Sequence, residues 1–161
     1  MKRSLTLAAA LMTAPLVLEA QQWTPEQIEV IESLKGCWDT WMVSMRADDP
    51  SVWIDQCTDG DYTFWWAAEG APNNPETLRR NFEWIKGTDL GWSDIRPLTV
   101  KVFGDVAVMH FYGYWWAKTS DGKTLTEELR TEVFRKLNGR WVLAAGHSTP
   151  RTPADAEPYR Q

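Results

Sequence analysis

Two cysteines and two histidines are all that this 161-residue chain offers to a metal ion or a redox couple. No spacing brings the four together, which excludes a zinc module and leaves no metal ligands to name. Basic residues are also in short supply: 17 Lys and Arg stand against 22 Asp and Glu, a formal net charge of −5. An acidic chain without a basic stripe carries no footprint for nucleic acid. There is no phosphate-binding glycine loop, no nucleophile elbow and no metal motif. Those enzyme classes are excluded, and no cofactor is implied.

No apolar run reaches the roughly 20 residues that span a bilayer. The run that exists, Leu5 to Leu18, contains Pro15, follows Lys2 and Arg3, and ends at Leu18-Glu19-Ala20. This is the layout of a secretory signal peptide, so residues 1–20 are expected to be a cleaved leader. The product would be exported, periplasmic or secreted, with no membrane attachment after cleavage. No cysteine stands beside the cut, which argues against a lipoprotein. Losing Lys2, Arg3 and Glu19 makes the mature chain one unit more acidic. In an oxidising compartment Cys37 and Cys57 are expected to form a disulfide rather than to remain two buried thiols. It would close a loop of about 20 residues, worth roughly 3 kcal/mol in the chain-entropy model.

Aromatic residues are abundant, with eleven tryptophans. Thr24-Pro25-Glu26-Gln27 reads as a helix start with a capping box. Ile31, Leu34, Trp38, Trp41 and Met45 then recur at spacings of three and four. The helix is predicted to run to about Arg46, and a short one from Pro50 to about Gln56 to follow it. Asp61 to Ala68 has the aromatic density of a strand, and Gly70 to Pro75 reads as a loop. Asn74-Pro75-Glu76 starts a further helix with Leu78, Phe82 and Ile85 on its apolar side and Gly87 at its end. From Asp94 to Thr149, the turn signals Gly104-Asp105, Asp121-Gly122 and Asn138-Gly139 separate four strand-like runs, which is a meander. The tail, 150–161, has three prolines and no period, so it is expected to be extended or disordered.

The order of elements and several local segments resemble the nuclear-transport-factor-2-like superfamily, in its SnoaL-like and ketosteroid-isomerase-like branches. The segments are Trp38 and Trp41 leading to Ala47-Asp48-Asp49, Asp59-Gly60-Asp61-Tyr62, and Arg130-Thr131-Glu132-Val133-Phe134 through Gly139-Arg140-Trp141 to His147-Ser148. The likeness spans about residues 25–149. It implies an α+β domain over residues 21–149: a cone-shaped curved antiparallel sheet with helices packed on the concave face, enclosing a pocket. Members include isomerases, dehydratases, hydrolases, cyclases and domains without catalysis, so the fold does not choose among them.

Two-residue turns fix a register. They pair Met109 with Val100, Phe111 with Glu132, His110 with Val133 and Arg130 with His147. Side chains alternate across a strand, so one face is apolar except for Arg130, Glu132 and His147. Buried charges are costly unless paired or used. The three are therefore candidate catalytic groups: Glu132 as general base or acid, His147 as its partner, Arg130 holding an anionic or enolate-like oxygen. A salt-bridged network with no chemistry is the plainer alternative. A bulge at Gly113 would exchange the faces and bring His110, Tyr112 and Tyr114 inward as a second acid–base set. Trp38, Trp41, Trp65, Trp66, Phe111 and Trp115 are candidate walls of an aromatic ligand pocket. Trp116, Tyr112 and Tyr114 fit a homodimer through the outer sheet face. Asp39 stands at the pocket mouth or in solvent.

Two functions follow as expectations. The first is binding of a small, largely apolar or aromatic molecule, with cofactor-independent isomerase, lyase or hydrolase chemistry open. The second is a non-catalytic ligand-binding or dimerisation module of the same fold.

Overall fold

In the computed structural model, the described residues are 21–66, 73–79, 89–119 and 122–151. The leader, the loop before Asn73, Phe82, Ile85, Gly87, Asp121 and the tail beyond Arg151 lie outside them. Two helices precede five strands: α1 Pro25–Ala47, α2 Pro50–Cys57, β1 Thr58–Trp66, β2 Leu90–Phe103, β3 Val106–Thr119, β4 Gly122–Leu137 and β5 Arg140–Arg151. Residues 75–79 are also helical.

Helix α1 starts where its capping box says it should. Thr24 accepts from the Gln27 backbone, and the Gln27 side chain accepts from Thr24 in return. It ends at Asp48, whose left-handed backbone closes the last turn onto Ser44 and Met45. Val30, Ile31, Leu34, Cys37, Trp38 and Met42 form its buried stripe. The sheet runs β1-β5-β4-β3-β2, with β1 parallel to β5 and every other pair antiparallel. The meander is thus completed by β1, which adds beside the last strand and makes the sheet mixed.

Asn138 and Gly139 both have positive φ, 51° and 78°, as a two-residue hairpin turn demands. Edge strand β2 exposes carbonyls to an added chain, and the segment that leads into α1 blunts it: Gln21 and Gln27 donate to Leu98 O and Val100 O. Ser33 of α1 donates to Trp141 O, which fixes the helix against the concave face at β5.

Three sequence expectations change. Pairing of β3 with β4 is regular throughout, including Gly113 opposite Glu128, so there is no bulge at Gly113. That glycine instead leaves room for the Trp38 ring, which a Cβ would strike. Thr119 pairs with Gly122, so the register is offset by two residues and His110 faces Thr131, Phe111 faces Arg130. In the β4–β5 pairing a bulge lies in β5, where Val133 pairs with Ala145 but Phe134 with Leu143, leaving Ala144 as the extra residue; β2 also shifts register against β3 at Ser93 and at Leu98. Beyond it Arg130 faces Ser148, and Glu132 faces Gly146.

Cys37 and Cys57 are not a disulfide; both are buried free thiols. The Cys37 thiol donates toward the Cys57 carbonyl at 3.9 Å. A separate hydrogen bond from the Cys37 thiol to the Cys57 sulfur, together with burial, pushes the Cys37 pKa well above the thiol range, and accepting that thiol–thiol bond is the chief cause that lowers Cys57. The crossing of α1 with the end of α2 therefore packs two small apolar side chains rather than a covalent staple.

Candidate functional site

Alternation along β4 puts Glu128, Arg130 and Glu132 on the concave face, and the α1 aromatics close over them. Glu132 is fully buried. Its Oε1 accepts from Arg130 Nη2 at 2.7 Å, and its Oε2 accepts from Tyr62 Oη at 3.2 Å. Arg130 Nη1 donates to Glu128 Oε2 at 3.2 Å, and the fully buried Ser148 donates to that same oxygen at 2.8 Å. The guanidinium is also ringed by aromatic faces, with its carbon 4.7 Å from the Phe64 ring centre, 5.2 Å from Trp38 and 6.0 Å from Phe111.

The electrostatics follow from burial and from an excess of carboxylate. Desolvation raises the Glu132 pKa, with the Arg130 charge and hydrogen bonds opposing it. Burial raises Tyr62 well above the usual phenol, and the neighbouring Glu132 charge adds to it. Burial works against the Arg130 cation, but the Glu132 and Glu128 carboxylates outweigh it and hold it charged.

Above this cluster the interior is aromatic. Trp38 contacts Trp115 at 4.2 Å, Phe111 at 5.7 Å and Trp92 at 5.8 Å, and Trp41 meets Trp115 edge-on at 5.1 Å. Two polar atoms here are buried without a hydrogen-bond partner among the described residues: Arg130 Nε and Trp115 Nε1. Gly146 lies directly behind the Glu132 carboxylate and the Tyr62 hydroxyl, where any Cβ would collide with both.

Of the expected catalytic set, Arg130 and Glu132 meet and His147 does not. The Ala144 bulge turns His147 outward, where it is exposed, and puts Ser148 in its place. His110, Tyr112 and Tyr114 stay on the convex face; His110 Nδ1 lies 2.8 Å from Thr131 Oγ1. Burial, then the hydrogen bond that its hydroxyl donates to the Glu127 carboxylate, raises the Tyr114 pKa. Of the expected pocket walls, Trp38, Trp41, Phe111 and Trp115 face inward. Trp65 is 48% exposed and meets His147 edge-on on the convex side. Trp66 is described only by its backbone pairing with Ser148. Asp39 is exposed.

Sequence reasoning missed Tyr62, Phe64, Glu128, Trp92, Gly146 and Ser148. Glu128 was accessible, because it stands two residues before Arg130 on the same strand face. Tyr62 and Phe64 needed the parallel placement of β1, for which no turn gives a signal. Among the described residues no three His, Cys, Asp or Glu side chains could hold a metal, and no helix is long and apolar enough to cross a membrane.

No protein-family model matches the chain, and no curated protein matches it. Solved structures do. The CaMKII hub homology domain of Chlamydamonas reinhardtii superposes with a TM-score of 0.64 at 16% identity, over 79% of this chain and 99% of that one. The association domain of C. elegans CaMKII gives 0.61 at 16% identity, over 76% and 94%. A nuclear transport factor 2-like superfamily protein from Salmonella enterica serovar Typhimurium gives 0.59 at 17%, over 76% and 92%. At these identities the likeness establishes the fold, which is the NTF2-like cone.

Proposed function

We propose that this chain is an exported binding module that holds a small, planar, largely apolar molecule inside the cone and packs against a second copy through its convex face. The observation that carries the binding reading is the pair of buried donors, Arg130 Nε and Trp115 Nε1, left unpaired among the described residues in an aromatic interior. A buried donor without a partner costs about 1–3 kcal/mol. A ligand oxygen would remove that cost, and the indole walls suit a flat ring. The acid–base alternative lacks a free base in this state: both Glu132 oxygens are engaged and His147 lies across the sheet.

The test is mass spectrometry of small molecules that co-purify with the native chain, followed by calorimetry with the molecule found. Trp115→Phe, which keeps the ring and removes the N–H, is expected to weaken binding about tenfold, the equivalent of one lost hydrogen bond. An unchanged Kd would remove the donor argument.

A second reading, cofactor-independent acid–base catalysis by Glu132, is favoured by the burial that raises its pKa. Glu132→Gln separates the two: binding without turnover in both forms supports the module, and turnover lost only in the variant supports the enzyme.

Self-association is supported by exposed apolar side chains on the convex face, Val106 at 40%, Leu129 at 41% and Leu125 at 72%. The likeness to domains named for association and as hubs adds to it. Export rests on the basic and apolar start of the chain. N-terminal sequencing after cell fractionation is expected to find Gln21 first, and an intact Met1 in the cytoplasm would overturn it.

A further inference from the structure

We infer that the convex face docks a second copy of this chain and that the two histidines make this docking sensitive to protons. The inference rests on the self-association proposed above and adds its regulation. The pairing register places Thr99, His110, Thr131, His147 and Trp65 opposite one another in a single row across β2, β3, β4, β5 and β1. Both histidines of the chain are in that row, exposed, on either side of Thr131. With strands about 4.8 Å apart, their backbones are about 10 Å from each other. Thr131 holds the His110 ring toward the middle of the face.

The occupant is a second copy because two-fold packing lays this face on itself, and only a face with no net charge at its centre tolerates that. The centre here is neutral: hydroxyls, imidazoles, Val108, Val133 and Leu129. Charges lie toward the margins and are largely matched within the protomer. On β4, Arg135 reaches Asp59 of β1 at 3.2 Å, and Glu127 reaches Arg151 of β5 at 3.0 Å. On β2, Arg96 stacks over the Tyr112 ring at 4.7 Å, Lys101 sits opposite Val108, and the exposed Asp94 sits opposite Tyr114 near Arg96 and Glu127. On β1, Asp61 is exposed. Nearest to His110 are therefore the cations Lys101 and Arg96; nearest to His147 are Trp65, Thr131 and, further along the strands, Arg151 with Glu127. Among the described residues no carboxylate stands beside either ring to compensate an imidazolium.

Histidine is the side chain whose charge changes between pH 5 and 8. Protonating both adds two positive charges per protomer, hence four around the two-fold axis. At physiological salt, screening acts over about 8 Å, too weakly to hide charges enclosed in a face-to-face contact. Assembly would thus hold at neutral pH and loosen in acid.

The experiment is sedimentation velocity of the mature chain at pH 7.5 and 5.5, with far-UV circular dichroism confirming that the fold persists. The dimer Kd is expected to rise at least tenfold at pH 5.5. The double variant His110→Gln/His147→Gln is expected to stay dimeric at both values, while Leu129→Glu is expected to be monomeric at both. A wild-type dimer indifferent to pH overturns the histidine inference and leaves self-association standing, as does a double variant that dissociates like wild type. A wild-type monomer at pH 7.5 overturns both.

Discussion

The same strands carry two unlike faces. On the concave face, Arg130, Glu132, Tyr62, Glu128 and Ser148 are sealed beneath tryptophan and phenylalanine rings. On the convex face, their immediate neighbours Leu129, Thr131 and His147 look outward, and Leu129 keeps 41% of its surface exposed. Burial makes the difference. Inside, a charge that loses its partner has no water to turn to, so each residue of the cluster depends on the others. Outside, a charge or imidazole costs little until something covers it. Changes to the concave face should therefore register as stability, and changes to the convex face as association.

The largest effect is expected from Arg130→Ala. It strands Glu128 and Glu132 as buried carboxyls without a cation, and removal of one partner of a buried ion pair costs about 3–5 kcal/mol. Urea denaturation at pH 7 would measure it, and a loss below about 1 kcal/mol would mean that water reaches the cluster. Gly146→Ala comes next. Its methyl meets the Glu132 carboxylate and the Tyr62 hydroxyl together, and overpacking of this kind costs about 1–3 kcal/mol. A normal melting profile for that variant would show that the cluster is looser than its geometry implies.

Glu132→Gln sharpens the comparison through pH. A carboxyl whose folded pKa is raised binds more protons in the native than in the unfolded state, over the interval between its unfolded and folded values. Its contribution therefore falls as pH rises through that interval, the reverse of an ordinary surface carboxylate. The amide keeps a hydrogen-bonding end for Arg130 and for Tyr62 and has no proton to lose. We expect the variant to be within about 1 kcal/mol of wild type at pH 7. Between pH 4.5 and 7 the stability of the variant should fall less than that of wild type. A steeper loss in the variant would show that Glu132 is ionised throughout.

How far the chain could be read before its structure depends on the parity of each error. The Gly104-Asp105 turn gives Val100 opposite Met109, as expected. The next hairpin is offset by two residues, an even number, so Arg130 and Glu132 remain on the concave face although their partners change. One extra residue, Ala144, is an odd number, and it exchanges His147 for Ser148. Nothing in Ala144-Ala145-Gly146 marks a bulge, because three small side chains fit either face. The glycine acquires meaning only once Glu132 and Tyr62 are seen against it. The helices were readable for a different reason: capping boxes and prolines act within one turn, where sequence and structure are the same neighbourhood.

The smallest stability effect should come from the convex face. Leu129→Glu replaces an exposed side chain between Tyr112 and Thr149, and surface changes of this kind stay within about 0.5 kcal/mol of wild type. Its effect on assembly should be large, since two-fold symmetry sets each new carboxylate against the same neutral centre. Urea denaturation run at several protein concentrations tests both at once. The wild-type midpoint should rise with concentration, because a dimer is stabilised by mass action, whereas the variant midpoint should not move and should meet the wild-type value extrapolated to high dilution. If the variant instead unfolds well below that limit, Leu129 supports the protomer itself, and the division of labour between the two faces fails at this position.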